Sequence, residues 1–175
     1  MSKIAIIYST TDGQTKKITE ILRTDLSNCH VVELFPVSSA CDLNLTNFDK
    51  VVLGASIRYG KHKSEVFKFL KKQRNMLEEK ETYFFSVNVV ARKPEKNRPT
   101  TNPYVKKFLE KTSWKPNYTE VFAGKVNYPE YNFLDRNIIR LIMHITNGPT
   151  DITRSHEFTD WKRVKKFGAL ISGED

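Results

Sequence analysis

The sequence predicts an α/β domain built on a doubly wound parallel sheet, and three observations carry that prediction. Short apolar, β-branched runs recur along the chain, beginning with Lys3–Tyr8. Segments with apolar residues at the helical period alternate with these runs. Polar or glycine-bearing loops separate the two. Strands covered by helices on both faces read as continuous apolar runs, and regular alternation of strand and helix indicates a parallel sheet. The chain has 175 residues and reads as a single domain over 1–175, without repeats or linkers.

Each element follows from its pattern. Lys3–Tyr8 is the first strand. Ser9–Thr15 is a polar loop with one glycine, and Thr15–Leu26 is a helix with Ile18, Ile21, Leu22 and Leu26 on one face. His30–Phe35 is a second strand stopped by Pro36, and Val51–Ala55 is a third. Ser64–Leu77 is a helix facing Val66, Phe67, Leu70 and Leu77 inward. Thr82–Val87 is the fourth strand. The segment from Val89 to about Asn117, rich in Lys, Pro and Asn, is irregular around a helical stretch at Tyr104–Lys111. Strand character resumes at Tyr118–Val126. Leu134–Ile145 is an amphipathic helix, ended by Asn147-Gly148-Pro149-Thr150-Asp151. Thr159–Ile171 closes the chain with Thr159 as N-cap.

Composition narrows the function classes. Lys and Arg number 29 against 20 Asp and Glu, a net charge of +9. Such an excess favours anionic ligands or surfaces. The charge is uneven: residues 58–74 hold seven basic residues against one acid, and residues 92–125 nine against three. For any single lysine, a solvated helix face is the plainer explanation. No nucleic-acid reading motif accompanies the basic residues, so nucleic acid is not an expected partner. Cys29 and Cys41 make no CxxC and have no His at metal spacing, so they read as reduced thiols of a cytoplasmic protein, and no metal is expected. The apolar run after Met1 is too short for a signal h-region or a span.

In parallel α/β sheets, ligands bind beyond the carboxyl ends of the strands. That directs attention to three loops. The first is Ser9-Thr10-Thr11-Asp12-Gly13-Gln14-Thr15. Backbone N–H groups at a helix start, with the positive end of its dipole, suit a phosphate. The hydroxyls of Thr10 and Thr15 add donors, and Gly13 lets the chain curl closely. The alternative is an ordinary helix-capping turn. Neither GxxxxGK[ST] nor GxGxxG occurs. The second loop is Gly54-Ala55-Ser56-Ile57-Arg58-Tyr59-Gly60, where Ile57 and Tyr59 offer a face for a flat aromatic ligand and Arg58 a positive charge beside it. A surface loop with an incidental tyrosine is the alternative. The third is Ser86-Val87-Asn88-Val89, continuing through Lys96.

Tyr8–Thr15 resembles the flavodoxin phosphate loop, Thr/Ser-x-Thr-Gly-x-Thr: Thr10, Gly13 and Thr15 match, while Asp12 replaces a threonine. A carboxylate there repels a phosphate unless it turns away to cap backbone N–H groups. Together with Gly54–Gly60, Ser86–Lys96, Tyr104–Leu109, Leu141-Ile142-Met143 and Thr159-Asp160-Trp161, the loop resembles the quinone-dependent protoporphyrinogen dehydrogenases, in which Asp-Gly-Gln-Thr is usual. The resemblance covers nearly the whole chain and is weakest over residues 23–48.

The resemblance implies a flavodoxin-like five-stranded parallel sheet of order 2-1-3-4-5, with an insert between strands four and five at about 89–117. It implies oxidation of protoporphyrinogen IX to protoporphyrin IX in haem biosynthesis, non-covalent FMN as cofactor, and menaquinone or ubiquinone as acceptor. It also implies peripheral attachment to the cytoplasmic face of the bacterial inner membrane, on an anionic surface. The FMN-binding residues would be Ser9, Thr10, Thr11, Asp12, Gly13, Gln14, Thr15, Ala55, Ser56, Ile57, Arg58, Tyr59, Gly60, Ser86, Val87, Asn88 and Val89, with Gly148 and Thr150 closing over the flavin edge. Arg92, Lys93, Lys96 and Arg98 would meet the substrate's propionates. A general base is not evident: His62 reads as solvent-exposed and His144 as a packing or polar-face residue. The apolar stripe of Tyr131–Ile145 reads as a core-facing helix face, because each helix here needs one, with docking on lipid as the alternative. Two rival functions share the fold: a flavodoxin-type electron carrier and an NAD(P)H:quinone reductase. Ordinary flavodoxins are acidic, unlike this chain.

Overall fold

A computed structural model describes residues 1–173. Five strands form one parallel sheet in the order β2-β1-β3-β4-β5: β1 Lys3–Ser9, β2 Val31–Pro36, β3 Lys50–Ser56, β4 Glu81–Asn88 and β5 Tyr118–Ala123. Every pairing is parallel, with Ile6 beside Leu34 on one side and Val52 on the other. The order matches the expectation.

Alternation along each strand splits the core in two. Ala5 and Ile7 of β1, Val51 and Leu53 of β3, and Phe84 of β4 face one layer. That layer comprises α2 (Val37–Ala40), α3 (Ser64–Lys72), α4 (Arg74–Glu78) and α5 (Pro103–Thr112). Ile4, Ile6, Val52, Tyr83 and Phe85 face the other layer, formed by α1 (Gln14–Leu26) and α7 (Trp161–Ser172). Successive side chains of a strand point to opposite faces, so the runs that looked uniformly apolar serve two cores at once. Gly54 is required in β3 because the ring of Phe85 lies where a Cβ would stand.

The structure corrects several boundaries. Ser64–Leu77 is two helices, broken at Gln73 (φ −96°, ψ 10°), whose buried amide donates to the carbonyls of Cys41 and Leu43 at 3.0 and 2.9 Å. The expected strand Tyr118–Val126 stops at Ala123. Gly124 follows, where a Cβ would stand 3.3 Å from Val87, and β6 (Lys125–Asn127) pairs antiparallel with β7 (Ser155–Glu157). The helix expected from Thr159 starts at Trp161 with Asp160 as N-cap, accepting from the N–H groups of Lys162 and Arg163. Thr159 instead donates to the Ala123 carbonyl at 2.7 Å and accepts from the Gln14 amide at 2.8 Å. The 89–117 segment carries α5, the crossover that parallel pairing of β4 and β5 demands, preceded by 3-10 turns at Val89–Arg92 and Pro94–Lys96.

Between β6 and β7 the chain forms α6 (Phe133–Ile145). The expectation of a core-facing helix fails here. Only Met143 of α6 is buried, and Phe133, Leu134, Ile138, Leu141, Ile142 and Ile145 are 46–72% exposed. The helix has the apolar face its 3.6 period predicts, but the sheet's faces are already covered by the other helices, leaving this stripe uncovered.

Candidate functional site

The loop between β1 and α1 leaves an incomplete set of hydrogen bonds. Gly13 is the N-cap of α1 at φ 81°, a left-handed conformation that only glycine adopts without strain. It brings no side chain to cap the helix, and the first turn holds no acid. The first N–H groups of a helix have no intrahelical partner, so they and the positive end of the dipole remain available. Around them the hydroxyls of Ser9, Thr10 and Thr15 are buried and make no hydrogen bond among the described residues. Buried polar groups are nearly always paired. Three orphaned hydroxyls clustered at an uncapped helix start form a cradle for an oxyanion. Lys63 adds a cation, its Nζ donating to the Thr10 carbonyl at 2.7 Å.

Asp12 does not disturb this cradle, and it does not cap N–H groups either. Its carboxylate turns to Arg58, which donates to both oxygens at 3.1 and 3.0 Å, and Tyr131 adds its hydroxyl at 3.3 Å. Arg58 also holds Asp135, at the start of α6, at 3.0 Å. Burial by itself would lower the Arg58 pKa, but Asp12 foremost, with Tyr131 and Asp135, holds it above the usual value. Its charge is thus shared between two carboxylates, while the residue still lines the cleft between these loops. Tyr59 and Gly60 both have positive φ, making a tight two-residue turn closed by reciprocal backbone bonds between Arg58 and Lys61. The Tyr59 hydroxyl bonds Asp135.

The third loop is fixed by two asparagines. The Asn88 side-chain Oδ1 accepts from the Ala91 N–H and the Asn102 side-chain amide, each at 3.1 Å, and Asn102 caps α5. Ile57 N–H donates to the Val87 carbonyl at 2.9 Å, tying the second loop to the third. These loops and α6 enclose an open cleft of about 180 Å³. Ile57, Tyr59, Val89 and Tyr104 line it, and α6 contributes Ile139, Ile142 and Met143. A narrower crevice between Thr15, Ser56 and Val87 joins the cradle to the loops.

The predicted residues divide accordingly. Ser9 to Thr15, Ala55 to Gly60 and Ser86 to Val89 converge at the carboxyl end of the sheet. Arg92, Lys93 and Lys96 reach the cleft, but Arg98 is exposed and does not line it. Arg92 is also engaged in structure: it donates to the Thr146 carbonyl and hydroxyl at 2.9 and 2.8 Å at the end of α6, and burial lowers its pKa. Gly148 and Thr150 do not line the cleft. Gly148 packs under Met143 and Arg92, and its N–H closes the α6 end on the Met143 carbonyl at 2.7 Å.

His62 overturns its expectation. It is buried, its ring centroid 4.5 Å from that of Phe108, with Nε2 3.1 Å from the Ser86 hydroxyl. Burial lowers its pKa from 6.5 to about 4. Lys125, Tyr131 and Asp135 were missed as site residues. Lys125 lies past a strand end fixed by pairing, and Asp135 meets Arg58 across 77 positions of sequence, so local spacing held no signal for either.

A five-stranded parallel sheet of this order, with an oxyanion cradle at the first βα turn flanked by loops after β3 and β4, defines a flavodoxin-like domain. Comparison with known proteins agrees. The flavodoxin domain family profile matches residues 5–153. An archaeal flavodoxin structure superposes with a TM-score of 0.51 at 14% identity, covering 98% of this chain and 97% of that one. Oxidised flavodoxin 1 of Bacillus cereus gives 0.50 at 16%, covering 70% and 84%. Both likenesses speak to the fold alone. At the level of sequence, a protoporphyrinogen IX dehydrogenase [quinone] of Escherichia coli (strain K12) is 40% identical over 171 residues, 97% of this chain and 94% of its own length. One of Leishmania major is 42% identical over 172 residues, covering 95% and 73%. The chain belongs to the flavodoxin domain family and, within it, to the protoporphyrinogen IX dehydrogenase [quinone] family.

Proposed function

We propose that this chain is an FMN-dependent enzyme that oxidises protoporphyrinogen IX to protoporphyrin IX with a quinone as electron acceptor. The observation that carries the cofactor is the trio of orphaned hydroxyls on Ser9, Thr10 and Thr15 at the uncapped start of α1. They fit the phosphate end of FMN. Thr11, Asp12, Gly13 and Gln14 complete that loop, and Ala55 to Gly60 and Ser86 to Val89 flank the ring. FMN, when bound, supplies the two-electron exchange between the porphyrinogen and the quinone.

The protein's own part is binding and orientation. Lys93, Lys96 and Lys125 offer cations to the propionates at a cleft that also carries apolar and aromatic side chains, among them Ile57, Tyr59, Val89, Tyr104 and Ile142. That mixture suits a large apolar macrocycle bearing carboxylates. Menaquinone or ubiquinone is the acceptor in this reading, reached from an anionic membrane surface at the cytoplasmic face of the inner membrane. No helix among the described residues is long and apolar enough to cross a membrane. Attachment is therefore proposed as peripheral, supported by the net charge of +9.

The test is growth of porphyrin fluorescence from protoporphyrinogen with FMN-loaded protein, with and without added quinone, after subtraction of an enzyme-free control. Quinone-dependent growth is expected. Absence of growth with FMN bound would move the assignment to an electron carrier, and rapid reduction of the bound FMN by NAD(P)H would favour a reductase.

A further inference from the structure

Helix α6 is fastened at both ends and by a narrow inner strip, Met143 and Ile139, packed with Val126 and Tyr128, while its broad apolar face is uncovered. At its start Asn132 caps the Asp135 N–H at 2.8 Å, and Asp135 pairs with Arg58 and Tyr59. At its end Arg92 donates to the carbonyl and hydroxyl of Thr146, and the Gly148 N–H closes on Met143. Between these two fastenings Met143 is the one buried residue, and Ile139 and Arg136 are half-buried; Met143 and Ile139 also line the cleft. Of the ten large hydrophobic side chains exposed among the described residues, six belong to α6. Scattered exposed hydrophobics are ordinary, but a contiguous group marks an interaction site.

The arrangement on the helix identifies the kind of partner. At about 100° per residue, Leu134, Ile138, Leu141 and Ile145 fall on one line, with Phe133 and Ile142 on its two sides. Asn137, His144 and Arg140 lie along one side of this line, and Arg136, half-buried, lies on the opposite face of the helix. The helix's one acid, Asp135, is tied to Arg58, and the exposed charge beside the stripe is that of Arg140. An apolar stripe edged by arginine is the pattern of a helix lying in a bilayer interface, apolar residues among acyl chains and cations at anionic headgroups. Ile142 belongs to both surfaces: it is 49% exposed and it lines the cleft.

We infer that α6 is the element that seats this protein on an anionic lipid bilayer, and that its inner side opens the cleft toward the lipid, so that a long-chain quinone enters without crossing water. The inference deepens the proposed function and rests on it for the quinone, while the docking face stands on exposure and charge alone. A basic, apolar helix meeting anionic headgroups gains both contributions, which a second copy of this face would not, because the arginines would meet each other.

The experiment uses FMN-loaded full chain and the variant Leu134→Ser/Leu141→Ser/Ile145→Ser, three exposed residues outside the cleft lining. Both are sedimented with vesicles of phosphatidylglycerol and phosphatidylethanolamine, and with vesicles of phosphatidylcholine alone. Turnover is measured with a water-soluble short-chain quinone and with a long-chain quinone embedded in the vesicles. The variant is expected to keep its FMN and its turnover with the soluble quinone. It should lose about ten-fold or more in anionic-vesicle binding and in turnover with the embedded quinone. Arg140→Glu should weaken binding to anionic vesicles without changing FMN content, as should high salt. Vesicle binding by the triple variant equal to wild type would overturn the inference. So would wild-type protein that stays off anionic vesicles and forms a dimer the variant dissolves. Loss of vesicle binding in the variant, with no porphyrinogen oxidation by wild type on either quinone, would support the docking face and overturn the proposed function.

Discussion

At the scale of single residues, Thr15 is the clearest case. Its hydroxyl is fully buried and without a partner among the described residues, an arrangement that costs stability in the absence of a ligand. Thr15→Val keeps the shape and removes the hydroxyl. FMN affinity is expected to fall about 10- to 100-fold, the value of a hydrogen bond to a charged group. The ligand-free protein should be as stable as wild type or more so. Calorimetric titration with FMN and thermal melting of the FMN-free form check both halves, and an unchanged FMN affinity would remove Thr15 from the cradle. The sequence pointed to this residue because a hydroxyl one position inside a helix start, after a glycine, is a local pattern. Ser9 is expected there only as part of the loop, and its own orphaned oxygen appears only once the strand end is buried.

At the scale of elements, Arg58 joins pieces that the sequence keeps far apart. It lies 46 residues from Asp12 and 77 from Asp135, and it fastens the β1–α1 loop, the β3–α3 loop and α6 together. Breaking a partly buried pair by removing one member leaves a charge uncompensated. In Arg58→Gln, the freed Asp12 carboxylate stands beside the phosphate cradle, and FMN affinity is expected to drop about ten-fold. Adding Asp12→Asn should restore most of it, since the repelling charge is gone. A double variant no better than the single one would show that Arg58 acts through something other than Asp12. The same element level exposes the limit of periodicity. The spacing in α6 predicted an apolar face, correctly, but a spacing cannot say what covers it. Likewise the run Tyr118–Val126 read as one strand, though Gly124 turns the chain away from β5 toward β6.

At the scale of the whole molecule, His62 ties acid stability to the packing of the α3–α5 layer. Its ring sits against Phe84 and Phe108, brought there by β4 and α5, so it is neutral in the folded state. Its folded pKa of about 4 lies below the unfolded value of 6.5. The unfolded chain therefore binds the extra proton first. The stability contribution is fully present above 6.5 and is lost as pH falls toward 4. Between pH 7 and pH 5 the loss is about 2 kcal/mol by linkage. Chemical denaturation of wild type and His62→Phe at those two pH values measures it. The variant should lose less than wild type by about that amount. An equal acid loss in both would mean that His62 titrates normally in the folded protein.

The sequence by itself determined the strand and helix alternation, the parallel sheet, the phosphate loop and the family. Each of these rests on neighbours along the chain or on a pattern of short motifs, and such information is local. Tertiary structure decided the rest: which hydroxyls are orphaned, that Asp12 faces Arg58 rather than the cradle, that His62 is buried, and that α6 shows its apolar face outward. The physical reason is common to all four. Burial, pairing and desolvation depend on what another part of the chain brings to the same place, and that is fixed only when the sheet has aligned its strand ends and the helices have taken their faces.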